Sequence, residues 1–566
     1  MRDGLSRRDF MKGSLIGAAA MGTGLLAACA PQDQPTVKPE DSAEASVSTQ
    51  TGDGTYSFET PPPPISDDQI SKTLETEFVI VGAGAAGCCA ALTAAEQNAK
   101  VIVLQKHSEV FTNGGGFAAY NSKMQQAAGA DFDVQKALNR WMEYAENRAR
   151  RDMLNVWVRQ SGPTIDWVCE KLEGSDVGQP VGNFLLGMEF DDWETVYPVM
   201  HSFARYQFVI EELARQAQDL GVEFLFETPG VQLEKDEGGR VASVIARQGE
   251  SYIRVKASKG ILLCTGDYGA NLEIRKKWMP HSADLMSPVA PAVNTGDGLL
   301  MSLWIGADID RAPHPGSIHY DLYIEDPTMA YGSMIPWLNV DKNGKRYCNE
   351  DMNFGLVYGQ DLNLKDLTHY QVFDADYETY YPNMGNGLAR SLPTPPEIAP
   401  LFREALQKEG IDDSGMSDYQ AVIAVGVHYG STYEAQSIEE LAGMIGCPAD
   451  ELEKTIARYN ELYEKGVDED YGKMGTRLSA IKTPPFYAIP RKAYMLGTLG
   501  GTTINTNMQV LTPNGEIIEG LYAAGNNSGG YFFGGMVQPM CMPGMTIARA
   551  SMQGRLAALH ALTGSY

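Results

Sequence analysis

Three glycines, Gly82, Gly84 and Gly87, are spaced as G-x-G-x-x-G in the stretch VIVGAGAAGCCAALTAAEQNAKVIVLQK. Glycines in this pattern allow a tight turn, close approach of the backbone to a pyrophosphate, and close packing of a helix on a strand. The neighbouring Ala85 and Ala86 fall at the N-terminus of that helix, where phosphates bind. The spacing therefore predicts a dinucleotide site.

The flanking residues supply the elements that must position these glycines. Residues 78–81 are a short apolar run typical of a buried parallel strand, an alanine-rich helical stretch extends to about Gln97, and Val101–Leu104 supplies the next strand. Gln105 then takes the position that normally binds ribose hydroxyls and is usually acidic. An amide can still hydrogen-bond a diol, without charge assistance. Strand, glycines, helix and strand in this order make the prediction specific.

The size and charge of the chain limit its class. At 566 residues it is too long for one simple core, so we expect two or three structural units. The net charge is −27, from 72 acidic against 45 basic residues. Binding of nucleic acid needs a cationic footprint, so nucleic acid is not an expected partner. A solvated acidic surface is the favoured interpretation.

The first residues predict export. Arg7 and Arg8, in SRRDFMK, precede a mildly apolar stretch of about 16 residues, shorter than the roughly 20 that span a bilayer. This arrangement resembles a bacterial twin-arginine signal, and LAAC at 26–29 resembles the lipobox at which Cys29 would be acylated. We expect residues 1–29 to be the signal and the protein to be an extracytoplasmic lipoprotein, anchored to the membrane through lipidated Cys29. Residues 30–72, rich in proline, serine and acidic residues, are expected to form a disordered linker.

The cysteines give no local metal-binding pattern. Besides Cys29, seven cysteines are scattered along the chain, and none belongs to a C-x-x-C pair. Their spacing therefore predicts no zinc site, no iron–sulfur site and no c-type haem. Buried free thiols are favoured over cysteines that converge on an iron–sulfur site, an alternative that spacing alone leaves open.

Four later segments narrow the identity of the dinucleotide. They are GILLCTGDYGAN at 260–271, NTGDGLLMSLWIGA at 294–307, GEIIEGLYAAGNNSGG at 515–530 and MPGMTIARASMQGRLAALHAL at 542–562. Together with the glycine pattern, they resemble the flavoprotein subunit of fumarate reductase and succinate dehydrogenase. Urocanate reductases and 3-ketosteroid dehydrogenases carry the same pattern, and bacterial cardiac glycoside reductases are similar in layout. The resemblance covers about residues 75–566.

The resemblance implies an α/β fold, in which a Rossmann-like FAD-binding domain, a parallel sheet with helices, is interrupted by an α+β capping domain. We expect the FAD-binding domain at 73–317 and 491–566 and the cap at 318–490. Residues 448–466, PADELEKTIARYNELYEKG, resemble a helix that recurs in such caps. Its apolar spacing at Leu452, Ile456, Tyr459 and Tyr463 is helical.

The resemblance also implies how FAD is held. Asn526 takes the position usually held by glutamate beside the ribityl chain, and the last helix points its N-terminus at the flavin pyrimidine. The loop at 112–122 would run beneath the isoalloxazine, and because this loop contains no histidine we expect non-covalent FAD. The expected cofactor contacts are Gly82, Gly84, Ala85, Ala86, Gly87, Gln105, Lys106, Asn113, Gly114, Gly115, Gly116, Thr265, Gly266, Asp297, Gly525, Asn526 and Thr546.

The substrate site departs from the fumarate reductases, which hold a dicarboxylate with two histidines and two arginines. A count from the matching turn at 340–351 puts Ser333 at the place of the proton-donating arginine, and Cys541 falls at the place of the second arginine. Only His319 keeps a family position. Two carboxylates in a dry cleft need paired cationic donors, so fumarate and succinate are poor candidates.

Aromatic, apolar and small residues replace the charged ones, which suits a larger, conjugated, less charged molecule. The replacements are Tyr320, Tyr331, Trp337, Tyr531, Phe532, Phe533, Met536 and Met540. Among the substrate contacts we expect Tyr320, Ser333, Phe532 and Cys541. The alternative is that such residues simply pack the cap against the FAD-binding domain.

A mechanism follows from these residue types. Reduced FAD would pass hydride to the β carbon of a double bond polarised by a carbonyl, and a general acid would protonate the α carbon. A phenol with a pKa near ~10 can donate a proton at neutral pH. Tyr331 is the first choice for the acid, followed by Tyr531 and His319.

These features predict an exported FAD reductase that acts on an α,β-unsaturated carbonyl compound. The compound would be steroid-like, lactone-like or an aromatic enoate, and it would serve as a terminal electron acceptor. Because the chain lacks a haem motif and room for a further domain, we expect a separate membrane-linked cytochrome or FMN protein to supply electrons. One alternative is an FAD dehydrogenase that desaturates a ketosteroid. Another is a non-catalytic flavin electron-transfer lipoprotein.

Overall fold

The computed structural model of the protein describes residues 56–183, 197–203, 205–283, 285, 294–319, 335–351, 359–384, 395–532 and 541–566. The predicted export signal, the lipidation site at Cys29 and the first part of the predicted linker lie outside the described residues. Within the described ranges, no helix has the length and apolar character needed to cross a bilayer.

The chain divides into two compact units. Described residues of the first unit come from 56–183, 197–317 and 495–566, and those of the second come from Ile318–Tyr494. The chain therefore leaves the first unit, forms the second, and returns. Strands β10 (Gly316–His319) and β15 (Tyr494–Thr498) contain the two crossing points.

The first unit is built on an eight-stranded sheet. The strands of this unit are β1 (Ile70–Val81), β2 (Val101–Leu104), β3 (Gly116–Ala118), β4 (Val181–Asn183), β5 (Met200–Ser202), β6 (Glu223–Leu225), β7 (Gly230–Lys235), β8 (Val241–Gln248), β9 (Ser251–Leu263), β16 (Gln509–Leu511) and β17 (Ile517–Ala523). The sheet runs in the order β16-β17-β9-β1-β2-β6, and β8 pairs with both β7 and β9, while β3, β5 and β4 form a separate sheet.

Five parallel strands of this sheet, β1, β2, β6, β9 and β17, end in register, and Leu225 at the end of β6 lies opposite Leu104. Val81 lies opposite both Leu104 and Leu263, and Leu263 lies opposite Ala523. In open parallel sheets, ligands bind in the crevice outside the carboxyl ends of the strands. The segments that follow β1, β2, β9 and β17 therefore meet at one edge, called the carboxyl edge below.

Helices cover this sheet and bury its apolar strands. The helices of the first unit are α1 (Ala85–Glu96), α2 (Lys123–Ala128), α3 (Val134–Tyr144), α4 (Arg151–Lys171), α5 (Tyr206–Asp219), α6 (Leu272–Trp278), α7 (Asp297–Trp304) and α13 (Met545–Thr563). Helix α1 is rich in alanine because α13 lies very close to it. A Cβ on Gly554 would lie 2.0 Å from the carbonyl oxygen of Ala86.

The second unit contains an antiparallel sheet in the order β11-β12-β14-β13, with helices beside it. Its elements are β11 (Leu338–Val340), β12 (Thr368–Asp374), α8 (Tyr377–Met384), α9 (Pro395–Lys408), α10 (Asp418–His428), β13 (Tyr433–Ala435), α11 (Ile438–Ile445), α12 (Ala449–Lys465) and β14 (Phe486–Lys492). The helix predicted at 448–466 is confirmed as α12. Leu452, Ile456 and Tyr459 lie in the core of the unit, and Tyr463 packs against it.

Part of the predicted linker is bound to the first unit. Phe58 is buried, its ring centre lies 5.3 Å from that of Trp278, and its carbonyl accepts a hydrogen bond of 2.8 Å from Trp304 Nε1. The neighbouring Glu59 pairs with Lys277. Residues 56–59 thus differ from the predicted disorder, because Phe58 packs on Trp278 of α6 and its carbonyl accepts from Trp304 of α7. Residues 70–72, also assigned to the linker, form the start of β1.

Replacing Phe58 with alanine should lower the free energy of unfolding of the first unit by about 3 kcal/mol, since a buried aromatic ring is removed. Urea unfolding followed by tryptophan fluorescence measures the change. The matched control is Phe208→Ala on α5, where the side chain is 44% exposed and the expected change stays within about 0.5 kcal/mol. Equal effects of the two substitutions would contradict the docking of residues 56–59.

Candidate active site

The glycine pattern forms the turn between β1 and α1. Gly82 has φ +108°, and a Cβ there would lie 2.4 Å from the carbonyl oxygen of Cys264. A Cβ on Gly87 would lie 1.9 Å from the carbonyl oxygen of Gly82. Because the Cys88 N–H donates to the Gly84 carbonyl at 2.9 Å, the first N–H groups of α1 precede its hydrogen-bonded ladder and can meet phosphate.

Those first N–H groups belong to predicted cofactor contacts. They are on Ala85, Ala86 and Gly87, at the carboxyl edge. The amide at Ala83 is used differently, because it donates to Gln105 Oε1 at 3.2 Å. The turn therefore offers the N-terminus of a helix to an anion, as the sequence predicts.

Gln105 braces this turn. Its Nε2 donates to the carbonyl of Glu109 at 2.7 Å while its Oε1 accepts from Ala83, and the side chain is buried. The amide thus joins the glycine turn to the segment after β2. The predicted contact of Gln105 with ribose stays a prediction.

Lys106 and Asp297, both predicted cofactor contacts, are brought together. Lys106 Nζ lies 2.9 Å from Asp297 Oδ2 and donates to Thr295 Oγ1 at 2.9 Å. Their side chains are 31% and 28% exposed, so the pair lies at the rim of the unit. Asp297 opens α7, and this contact places the start of that helix beside the segment that follows β2.

Thr265 and Asn527 link the ends of β9 and β17. Thr265 Oγ1 donates to Asn527 Oδ1 at 2.9 Å and accepts from the Gly298 N–H at 2.9 Å. The predicted contact Gly266 directly follows Thr265, and the predicted contact Asn526 directly precedes Asn527. Gly525 follows β17 and Ala524. Its N–H donates to Gln553 Oε1 of α13 at 2.9 Å, so α13 also meets this edge.

The predicted flavin loop is held by α13 and α5. The carbonyls of Gly114 and Gly115 accept hydrogen bonds of 2.9 and 2.8 Å from the N–H groups of Tyr206 and Phe203. Gly544, with φ +87°, approaches the loop so closely that a Cβ would lie 2.8 Å from the carbonyl carbon of Gly116. Asn113 lies half-buried in the loop, and Thr546 lies half-buried in the first turn of α13.

His201 supports this loop, although sequence reasoning missed it. Its strand β5 pairs with β3, which places His201 opposite Phe117. The ring contacts Ser122 Oγ at 2.7 Å and the Val199 carbonyl at 3.0 Å. Burial lowers the pKa of His201 to about 4, so the ring is neutral at physiological pH. Nothing in the local spacing marks this histidine.

Two carboxyl groups of the first unit are buried, that of Asp267 in the segment after β9 and that of Asp310 after α7. Asp267 accepts from the Gly269 N–H at 2.6 Å and from Asn294 Nδ2 at 3.1 Å, and burial raises its pKa to about 6. Asp310 accepts from the N–H groups of Gly530 and Gly501 at 3.1 and 3.4 Å. Burial raises the pKa of Asp310 to about 7.

The predicted catalytic and substrate residues are only partly placed. Tyr531 is fully buried in the first unit, its hydroxyl has no hydrogen-bond partner within the described part of the chain, and burial raises its pKa. Phe532 is buried against Trp141, and the buried Cys541 accepts a backbone hydrogen bond of 2.9 Å from the Tyr197 N–H. These three residues belong to one unit.

Two further predicted residues lie in the second unit. His319 ends β10 and belongs to the second unit, as does Trp337, which stacks on Phe373 at 5.3 Å between ring centres. Predicted residues outside the described part of the chain are Tyr320, Tyr331, Ser333, Phe533, Met536 and Met540. The assignment of the acid therefore stays a prediction.

This fold and carboxyl edge define a dinucleotide-binding oxidoreductase, and comparison with known proteins gives the class. Residues 77–538 match the family described as FAD binding domain, so the chain belongs to that family. It is an FAD-dependent oxidoreductase that acts on CH–CH and C=C bonds, of the fumarate reductase-like flavoprotein family. The predictions of FAD, of this enzyme class and of the α/β fold are confirmed.

Two relatives align over most of the chain. Digoxin reductase of Eggerthella lenta is 26% identical over 575 residues, which cover 94% of this chain and 93% of that protein. Vinyl phenol reductase of Lactiplantibacillus plantarum is 26% identical over 87% of this chain and 97% of that protein. The open conformation of a flavocytochrome c3 fumarate reductase shares the fold, with a TM-score of 0.62 at 21% identity, over 95% of this chain and 86% of that one.

The residues at the carboxyl edge fit FAD. The N–H groups at the start of α1 suit its pyrophosphate, and the glycines of the Gly114–Gly116 loop add no side chain of their own where a flat ring would approach the backbone. Asn526 and the first turn of α13 approach from the C-terminal segment. The start of α1 would hold the adenosine diphosphate half of FAD. The Gly114–Gly116 loop, Asn526 and the first turn of α13 would hold the flavin half.

Gly87→Ala should weaken FAD binding about 10- to 100-fold, because overpacking at this contact costs about 1–3 kcal/mol and the turn must open. Fluorescence titration of the apoprotein with FAD measures the affinity. Gly443→Ala, in helix α11 with no atom within 4 Å of the new Cβ, is the control and should leave the affinity unchanged. Unchanged affinity in Gly87→Ala would contradict the assigned turn.

Asp310→Asn should remove part of the pH dependence of stability. The pKa of Asp310 in the folded protein is about 7, above its unfolded value near ~3.9, so ionisation opposes folding and stability falls as pH rises between these values. From pH 5 to pH 8 the variant should gain about 2–3 kcal/mol relative to the wild type. Urea unfolding of the holoenzyme at both pH values measures this, and parallel profiles would contradict it.

Proposed function

We propose that the protein is an exported FAD-dependent reductase that transfers hydride from reduced flavin to the C=C bond of an α,β-unsaturated carbonyl compound. The substrate class is a steroid-like or lactone-like molecule or an aromatic enoate rather than fumarate. The observation that carries the choice of a bulky conjugated substrate is the pair of near full-length relatives named for digoxin and for a vinyl phenol. The carbonyl group is proposed on the digoxin relative alone, because a vinyl phenol is conjugated with its ring instead. Neither name specifies a small dicarboxylate.

The segment before α13 supports this choice of substrate. A dicarboxylate needs paired cationic donors in a dry cleft. At the expected place of one arginine this chain has Cys541, which is fully buried, and Phe532 and Tyr531 nearby in sequence are buried aromatic residues. Arg549 lies in the same unit, but its terminal nitrogens already donate to Ser528 and Asn526.

The mechanism uses this chain's own groups for binding and proton transfer. When bound, FAD supplies the hydride that adds to the β carbon of the substrate. A phenol protonates the α carbon, and a hydrogen bond to the carbonyl oxygen polarises the double bond. Tyr331 is the proposed acid, with Tyr531 and His319 as the alternatives. Burial raises the pKa of Tyr531, which therefore keeps its proton at neutral pH.

We also propose where the protein resides and what supplies its electrons. Arg7 and Arg8 would direct export by the twin-arginine pathway, and Cys29 would carry the lipid that anchors the protein outside the cytoplasm. A separate membrane-linked cytochrome or FMN protein would reduce the flavin, which we propose to be non-covalently bound. The reaction would then consume electrons from the membrane, with the unsaturated compound as terminal acceptor.

Anaerobic reoxidation of the reduced enzyme tests the proposal. After reduction with dithionite, a conjugated steroid lactone, an enone or an aromatic enoate should reoxidise the flavin at least about 100-fold faster than fumarate, since fumarate lacks its cationic clamp. Flavin absorbance at 450 nm, a standard band for oxidised flavin, follows the reaction. Fumarate reacting as fast as the conjugated compounds would contradict the substrate class.

Tyr331→Phe is the matched variant in this assay. Loss of a general acid slows reactions by about 100- to 10,000-fold, whereas bound FAD should be unchanged. Full activity in this variant would rule out Tyr331 as the general acid and leave Tyr531 or His319 for that role. The reaction would run in the opposite direction, as desaturation, if a saturated ketosteroid reduced the oxidised enzyme and no conjugated compound reoxidised the reduced enzyme.

A further inference from the structure

Arg549 is a fully buried cation on α13, one turn beyond the start of the helix. Its Nη2 donates to Asn526 Oδ1 at 2.6 Å and its Nη1 to the Ser528 carbonyl at 3.3 Å. Its guanidinium carbon lies 4.8 Å from the ring centre of Phe532 and 5.8 Å from that of Tyr531. Its Nε has no acceptor in the described part of the chain.

No carboxylate forms an ion pair with Arg549 among the described residues. Arg346 in the second unit shows the usual arrangement, because its guanidinium pairs with the fully buried Glu350 and Asp468 at 2.8 and 2.7 Å. Taking a charge out of water costs several kcal/mol unless an opposite charge and hydrogen bonds compensate for it. Arg549 has the hydrogen bonds but, among the described residues, no carboxylate in contact with it; Asp310 acts on it only from a distance.

Asp310 does not provide that charge as a direct partner. Its Oδ2 accepts from the backbone of Gly530 and Gly501. Burial lowers the pKa of Arg549 to about 10 and raises that of Asp310 to about 7. Near neutral pH the guanidinium therefore stays protonated, while the carboxyl is only partly ionised.

FAD, the cofactor of this family, gains negative charge on its flavin ring when it is reduced to the monoanion. Asn526, the side-chain acceptor for Arg549, takes the position expected beside the ribityl chain, and the first turn of α13 contacts the Gly116 loop. Two electrons and one proton convert the neutral oxidised isoalloxazine into a monoanion, whereas two electrons and two protons give a neutral reduced ring. A nearby fixed positive charge favours the monoanion.

We infer that the buried positive charge of Arg549, held in place by Asn526 and the Ser528 carbonyl, stabilises the anionic reduced form of FAD relative to the oxidised form and so raises the reduction potential of the enzyme. The helix N-terminus of α13 acts in the same direction, but Arg549 supplies a full charge instead of a partial one. The role does not depend on which unsaturated compound is the substrate.

Redox titration of the purified holoenzyme with an equilibrating dye tests this inference. In Arg549→Met, the ratio of reduced to oxidised FAD at a fixed potential should fall at least tenfold, which is about 30 mV for a two-electron couple. Arg549→Lys keeps the charge and should retain most of the wild-type ratio. The absorbance spectrum of the reduced Arg549→Met enzyme should shift toward that of neutral reduced flavin.

Arg555→Met is the matched control, because Arg555 lies on the same helix and its guanidinium faces Trp167 at 5.4 Å from the ring centre. It should leave the potential unchanged. If Arg549→Met does not retain FAD, Arg549→Gln, which can still donate to Asn526, should show the same tenfold fall. A wild-type potential in either neutral variant, or an equal fall in Arg555→Met, would overturn the inference.

Discussion

The close crossing of the first and last helices of the first unit is the contact on which the rest of the site depends. Gly554 of α13 lies against the Ala86 carbonyl of α1, where even a Cβ would overlap at 2.0 Å. At its N-terminal end, α13 meets the Gly116 loop through Gly544, the residue directly before the helix. One helix, almost 460 residues beyond the glycine turn by the numbering, thereby fixes the loop, Asn526 and Arg549 at a single edge.

Burial of polar groups gives this edge its electrostatic character. Asp267, Asp310 and Arg549 are all buried, and each is satisfied mainly by backbone or amide groups instead of by an opposite charge. A low-dielectric region with fixed dipoles acts strongly on any charge that appears within it. FAD is the component that changes charge during turnover, so this arrangement connects the fold directly to the redox chemistry.

Much of the dinucleotide fold was predictable because its signal is local. The apolar strand ending at Val81, the glycine turn and α1 are consecutive in the chain, and each glycine has a steric reason to be there. The helix α12 was likewise predictable from the spacing of Leu452 and Ile456. Such patterns need no knowledge of distant residues.

Other features depend on residues that are distant in the sequence, so the local sequence could not predict them. Phe58 lies in a segment whose composition predicts disorder, yet it packs on Trp278. Gln105 has the position of a ribose contact, yet both ends of its amide brace the glycine turn. Arg549 looks like an ordinary surface residue of a helix until Asn526 and Phe532 are seen to surround it.

A single-turnover experiment tests the central claim most directly. The reduced holoenzyme is mixed without oxygen with one equivalent each of a conjugated steroid lactone and fumarate, and the products are quantified by mass spectrometry. The account predicts that the lactone gains two hydrogens in proportion to the FAD oxidised, while fumarate is recovered unchanged. Formation of succinate with the lactone left intact would contradict it.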